Sequence, residues 1–302
     1  MKRRAFITLL GGAATLWPLA AQAQQAAVPV IGFLRSATLA DVPHFVTAFR
    51  QGLKEAGFVE GRNVAIEFRS ADDRLDRLPA LVAELIRRPV DVIVANHNAA
   101  RAAKAATATV PIVFATGSDP VRDGLVASLN RPGGNVTGVV FFSDVLGAKR
   151  LDLLRRLVPK ATTIGMLVNP GTPDTETERW NVQAAALALG QQLIVRDVRS
   201  ESDMESAFAT FVQRGAGALF VGAGAFMTSH RERVVALATR HALPAIYAWR
   251  EAVVAGGLMC YGASLADAYR HAGLYDGRIL KGETSADLPV MQTTKLDFVI
   301  NL

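Results

Sequence analysis

One structural plan is written twice along this chain. Ile31-Gly32-Phe33-Leu34 opens a segment whose helix-ending glycine, Gly57, stands 26 residues on, and Ile164-Gly165-Met166-Leu167 opens another in which Gly190 stands at the same interval. The echo continues past both glycines. Val64–Phe68 is answered by Leu193–Val198, the helical run Arg77–Arg88 by Met204–Arg214, Asp91–Ala95 by Gly217–Ala223, and Pro111–Ala115 by Pro244–Ala248. Short runs rich in Val, Ile and Phe, separated by segments of helical period such as Phe45, Phe49 and Leu53 every fourth residue, are the pattern of parallel strands covered by helices. A duplication of this size means two domain-sized units, not a short solenoid repeat. The expected fold class is α/β: two Rossmann-like lobes with parallel sheets.

Neither unit is complete alone. Between them, Pro132-Gly133-Gly134 turns into a strand, Asn135–Phe141, and then a helix. After Ala248 come a short helical piece, a strand Gly256–Gly262, a helix from about Ala266 to Leu280 and a last apolar run, Leu296–Leu302. These segments read as pieces exchanged between lobes, forming a multi-strand hinge near Phe142 and Trp249. The expected division is residues 28–140 with about 250–285 in lobe one, and 141–249 with about 286–302 in lobe two.

Ahead of the first unit, Lys2, Arg3 and Arg4 precede an apolar run from Ala5 to Ala21, and no acidic residue occurs before Asp41. The run is broken by Gly11, Gly12 and Pro18 and is shorter than the roughly 20 residues a spanning helix needs. Ala21-Gln22-Ala23 has the small-residue pattern of a cleavage site. Residues 1–23 are therefore expected to be an export signal cut after Ala23, the Arg3-Arg4 pair suiting a twin-arginine route. That leaves the mature protein periplasmic, without a membrane anchor. With the three leader cations set aside, 30 basic residues face 27 acidic ones, a balance of about +3 that is no nucleic-acid footprint. The cluster Lys149, Arg150, Arg155, Arg156 reads as a solvated helix face. Cys260 is the one cysteine, so stability must come from packing rather than from a disulfide.

Enzymatic signatures are weak throughout, and no catalytic residue is assigned. The five histidines, at 44, 97, 230, 241 and 271, show no metal-ligand spacing, and no metal or other cofactor is expected. Gly277 to Thr284 has phosphate-loop glycine spacing, but Glu283 stands where the lysine belongs. Gly222 and Gly224 lack the third glycine of a dinucleotide fingerprint, and Ser264 lies outside a Gly-x-Ser-x-Gly elbow.

The signal Arg3–Ala14, the stretch Val110–Val121 with Gly124–Gly138, and Pro244–Gly262 resemble, in combination, the extracytoplasmic substrate-binding proteins of ABC importers, in the group labelled tryptophan/tyrosine transport. The resemblance runs from the leader to the last residue. It implies a type I periplasmic binding protein: two lobes, three crossovers, and a small polar ligand, such as an amino acid or an aromatic acid, closed between them. It also implies an ABC permease as partner and a monomeric, non-enzymatic receptor. A ligand-sensing partner of a chemoreceptor is the alternative. The family pattern continues past Phe298–Leu302 with another helix, and it carries smaller residues where this chain has Asn96-His97-Asn98.

In open α/β sheets, ligands bind beyond the carboxyl ends of the strands. The candidate walls of lobe one are thus Arg35 and Ser36, then Asn96, His97 and Asn98, then Thr116, Gly117, Ser118 and Asp119. Phe141 and Ser143 come from the first crossover. Lobe two offers Asn169 and Thr172, Gly224 and Phe226, and Tyr247 and Trp249. Small hydroxyl residues and backbone amides suit a carboxylate, Asp119 suits an ammonium, and Phe226 or Trp249 suits an apolar or aromatic group. The rival readings are that Asp119 caps the turn before Pro120 and that Trp249 is hinge packing.

Overall fold

The computed structural model describes residues 28–40, 42–170 and 173–301; the leader, with its cleavage and export route, and Thr172 lie outside them. The first lobe is built from β1 (Val30–Arg35), α1 (Pro43–Glu55), β2 (Ala65–Ser70), α2 (Leu78–Arg87), β3 (Val92–Asn96), α3 (His97–Ala106), β4 (Ile112–Thr116) and β5 (Val136–Val140). The second follows with α4 (Gly147–Leu157), β6 (Thr163–Val168), α5 (Pro173–Ala188), β7 (Gln192–Asp197), α6 (Glu201–Gln213), β8 (Ala218–Val221), α7 (Ala225–Ser229), α8 (Arg231–Arg240), β9 (Ala245–Tyr247), α9 (Arg250–Val254) and β10 (Met259–Ala263). The chain then returns through α10 (Leu265–Leu280) and β11 (Met291–Gln292) to the first sheet and reaches the second again with β12 (Leu296–Ile300).

The two sheets run β2-β1-β3-β4-β5-β11 and β7-β6-β8-β9-β10-β12, the same order in the same sequence of pairings. Only β12 is antiparallel, against β10. The order reverses between β1 and β3 and again between β6 and β8, the switch points at which loops diverge and leave a crevice. The duplicated glycines do the same work in both units. Gly57 (φ +92°) and Gly190 (φ +68°) take the left-handed conformation that ends a helix. The residues after them, Phe58 and Gln191, donate back to the carbonyls of Leu53 and Ala186.

The strand exchange is more extensive than the sequence spacing indicates, and it moves two boundaries. Residues about 250–263, expected in lobe one, belong to lobe two, because β10 hydrogen-bonds β9. Residues 286–293, expected in lobe two, lead into β11, which pairs with β5 in the first sheet. Three crossovers result, at Phe141–Leu146, at Ser264, and at Thr293–Lys295. They are tied together: Thr293 N donates to Val140 O and Ser264 N to Lys295 O. Phe142 sits at φ +35°, a strained value for a bulky residue, in the first of them. Trp249 is in no crossover.

α10 docks on α1 through glycines. A Cβ on Gly52 would lie 1.8 Å from Arg270 O, and one on Gly273 would lie 2.2 Å from Phe49 O, so no other residue allows the two backbones this approach. Within α10, Asp276 is fully buried and neither carboxylate oxygen has a hydrogen-bond partner. Burial pushes its pKa well above the ordinary carboxylate value. The folded state therefore holds a proton that the unfolded chain releases near pH 4, and stability falls as pH rises from there. Asp276→Asn should flatten that fall, gaining about 1 kcal/mol or more over the native protein at pH 7 relative to pH 4. Denaturant titrations at the two pH values check it, and parallel pH profiles would refute it. Cys260 is buried in β10, where desolvation pushes its thiol up to about 11 and leaves it a small hydrophobe.

Candidate functional site

The carboxyl ends of the strands of both lobes face one another across a cleft with two adjoining chambers. The inner one, inner in that it lies beside the crossover residues Phe141 and Ser143, has a cavity volume of about 80 Å³ and is lined by Arg35, Phe45, Phe141, Trp249, Leu265 and Tyr269 as its large side chains, with Thr116, Gly117, Ser143 and Thr228 between them. The outer one, farther from the crossovers and with a cavity volume of about 240 Å³, is lined by Ser36, Asp73, Asn98, Asn169, Arg199 and Phe226 among others. Asn96, His97, Gly224 and Ala225 border both.

Arg35, the last residue of β1, is the central feature. Its side chain is 3% exposed. Nη1 donates to the Tyr269 hydroxyl at 3.1 Å, the guanidinium carbon lies 5.5 Å from the Phe45 ring centroid, and Nε has no partner. No described carboxylate forms an ion pair with it. A buried cation held only by a phenol and a ring face has its principal counter-charge still to come. The aromatic wall is shared by both lobes: Phe141 meets Trp249 edge to face at 5.6 Å, and the Trp249 indole N–H is buried without an acceptor.

The polar rim is already wired. Asn96 accepts from Ser36 N at 2.9 Å and donates to Ser36 Oγ at 2.7 Å, stapling the ends of β3 and β1. His97 starts α3 instead of standing in a loop before it. Its Nδ1 lies 3.1 Å from Thr116 Oγ1, 3.0 Å from Ser118 Oγ and 3.9 Å from Asp123 Oδ2. Gly117 leaves room for its neighbours, since a Cβ there would strike Ser143 Oγ at 2.2 Å.

Of the residues expected at the site, Arg35, Thr116, Gly117, Phe141, Ser143 and Trp249 line the inner chamber; Ser36, Asn98, Asn169 and Phe226 line the outer; Asn96, His97 and Gly224 line both. Three line neither. Ser118 is fully buried behind His97. Asp119 accepts from Val121 N and Arg122 N and caps the turn, so its carboxylate is not in the chambers. Tyr247 lies behind Trp249, and burial raises its pKa. The sequence reading missed Phe45, Tyr269, Thr228, Asp73 and Arg199. Phe45 and Tyr269 carried only the signal of helix core positions, and it is the docking of α10 on α1 that brings them beside Arg35.

Beneath the cleft, Arg150 is 1% exposed and pairs with Glu178, which is equally buried. This corrects the reading of its cluster as a solvated face. Arg155 and Arg156 do pair at the surface, with Asp152. Arg150 lies over the Phe220 ring and donates to the carbonyls of Val221 and Ser143, while Glu178 Oε2 accepts from Ala223 N at 2.8 Å. The pair thus locks the first crossover to the loop after β8.

Contacts across the cleft include His44 Nε2 to Glu251 Oε1 at 3.1 Å and Arg122 Nη1 to Thr177 Oγ1 at 3.1 Å.

The chain is 28% identical over 255 residues to the Tyrosine-binding protein of Clostridioides difficile, covering 84% of this chain and 73% of that one. An ABC domain from Streptococcus pneumonia in complex with L-Trp superposes with a TM-score of 0.81 at 25% identity, over 90% of this chain and 92% of that chain. A ligand-free, open substrate binding protein with adhesive properties from Clostridium difficile gives 0.64 at 28% identity, over 91% and 92%. The superposition is thus better on the ligand-bound relative, although the identity is higher to the open one. Residues 28–302 match the model of the ABC transporter substrate binding protein family, and the chain belongs to that family.

Proposed function

We propose that this protein is a periplasmic receptor of an ABC importer, which captures a small anionic solute with an apolar or aromatic body between its lobes and hands it to a membrane permease. The observation that carries the reading is Arg35: a buried guanidinium without a carboxylate partner, at a strand end in the cleft, faced by aromatic side chains from both lobes. Relatives named for tyrosine binding and bound to L-Trp support a ligand of amino-acid or aromatic-acid size. The hydrogen bonds across the cleft here, from His44 to Glu251 and from Arg122 to Thr177, beside a relative described as ligand-free and open, support hinge closure. Contacts from both lobes exist together only in the closed form, so ligand shifts the population toward it.

Thermal denaturation against amino acids, aromatic acids, sugars and short peptides tests the reading. A ligand that binds only the folded state adds about 2.7 kcal/mol at a hundredfold excess over Kd. The same ligand should reduce the radius of gyration in small-angle scattering. A panel in which only uncharged sugars act would refute an anion receptor.

A further inference from the structure

We propose that the inner chamber selects a carboxylate that carries no ammonium group, such as an arylacetate or an arylpyruvate, in preference to an α-amino acid. The inference rests on the receptor reading above and names its ligand class.

Two donors at this chamber are left without partners. Arg35 Nε and Trp249 Nε1 are buried and unpaired. The Tyr269 oxygen accepts from Arg35, which leaves its own hydrogen to donate outward. Several acceptors, by contrast, already receive hydrogen bonds from the protein. Asn96 Oδ1 is held by Ser36 N, Thr116 Oγ1 by Ser118 N, Gly117 O by Ser143 N, and Gly224 O by the Thr228 amide and hydroxyl. A carboxylate presents acceptors alone and fits this inventory. An ammonium brings three donors to a wall already rich in them.

The charge balance agrees. Arg35 is the one permanently charged side chain among the described residues lining the inner chamber, and no Asp or Glu is among them. Asp119 is turned to its cap, and Asp123 lies behind His97, also paired with Arg122. Asp73 lines the outer chamber only, together with Arg199. A monoanion therefore neutralises the chamber, whereas an α-amino acid leaves one buried positive charge uncompensated, which low-dielectric surroundings penalise. The aromatic walls Phe45, Phe141 and Trp249 suit the flat apolar body of either ligand, so they favour neither.

Matched probes isolate the ammonium. Indole-3-acetate, tryptophan and tryptamine, and likewise phenylpyruvate and phenylalanine, are titrated calorimetrically into the purified protein at pH 7.5. In parallel, for phenylpyruvate and phenylalanine, whose rings do not contribute indole emission, Trp249 fluorescence is followed in a variant starting at Gln24, which lacks Trp17, and carrying Trp180→Phe, since Trp180 lies on the exposed side of α5. The expected result is at least tenfold tighter binding of each acid than of its amino acid, with no binding of the amine. Amino acids binding as tightly as the acids, or more tightly, would overturn the inference and leave the receptor reading standing. Binding of a sugar alone, or of no probe in the panel, would overturn both.

Discussion

Arg35→Met lowers affinity for the anionic solute by a hundredfold or more and leaves the melting temperature of the unliganded protein unchanged or raised. Removing one partner of a fully desolvated charge pair costs about 2–5 kcal/mol in binding, and each 1.4 kcal/mol is about a factor of ten. In the unliganded protein the same guanidinium is a liability: it is 3% exposed, with a phenol and a ring face as its contacts. An apolar replacement of similar length keeps the packing against Phe45 and removes the cost of burying the charge. Arg35→Lys should fall between the two, since a lysine keeps the charge but loses the planar fork and the ring stacking. Calorimetric titration paired with unliganded melting curves reads both effects. An unchanged Kd in Arg35→Met would place the anion elsewhere, and a large loss of stability would mean that Arg35 is structural.

The second large effect lies under the cleft. Glu178→Gln or Arg150→Met should each destabilise the protein by about 3–5 kcal/mol, because either leaves a buried charge unpaired. Replacing both with apolar residues should recover much of that loss, giving a coupling energy well outside additivity. Glu178 also holds the Ala223 amide and Arg150 the Ser143 carbonyl, so both single variants should bind more weakly as well. Denaturant unfolding of the two single variants and the double variant completes the cycle. Additive losses would reduce the pair to two independent contacts.

The duplicated plan was readable because it rests on local signals: glycines at a fixed interval, runs of β-branched residues, and helical period. The strand ends followed from it, and with them the position of Arg35. The polar detail did not. Asp119 precedes Pro120 in a turn whose amides claim its carboxylate, a competition that the residue type alone does not settle. Arg150 sits in a helix rich in cations and looks solvated until Glu178, 28 positions later, is placed against it. Tyr269 lies 234 positions from Arg35, and only the close approach of α1 and α10 through Gly52 and Gly273 brings them together. The lobe boundaries failed for the same reason: β10 and β11 are short strands whose partners are set by tertiary pairing, not by their own composition.

The three crossovers also govern the order in which the molecule can be assembled. The first sheet takes its edge strand from Met291–Gln292, and α1 takes its covering helix from Leu265–Leu280. Both are synthesised after nearly all of the second lobe. A nascent chain therefore carries the apolar face of α1 uncovered until residues 265–280 emerge, and neither lobe can finish folding as a contiguous unit. The contacts that complete the first lobe are separated by more than 200 positions, as in the bond from Arg35 to Tyr269, and closing such long loops slows folding. Completion of the first lobe is thereby tied to synthesis of segments that lie beyond the second, so the two lobes fold as one interdependent unit.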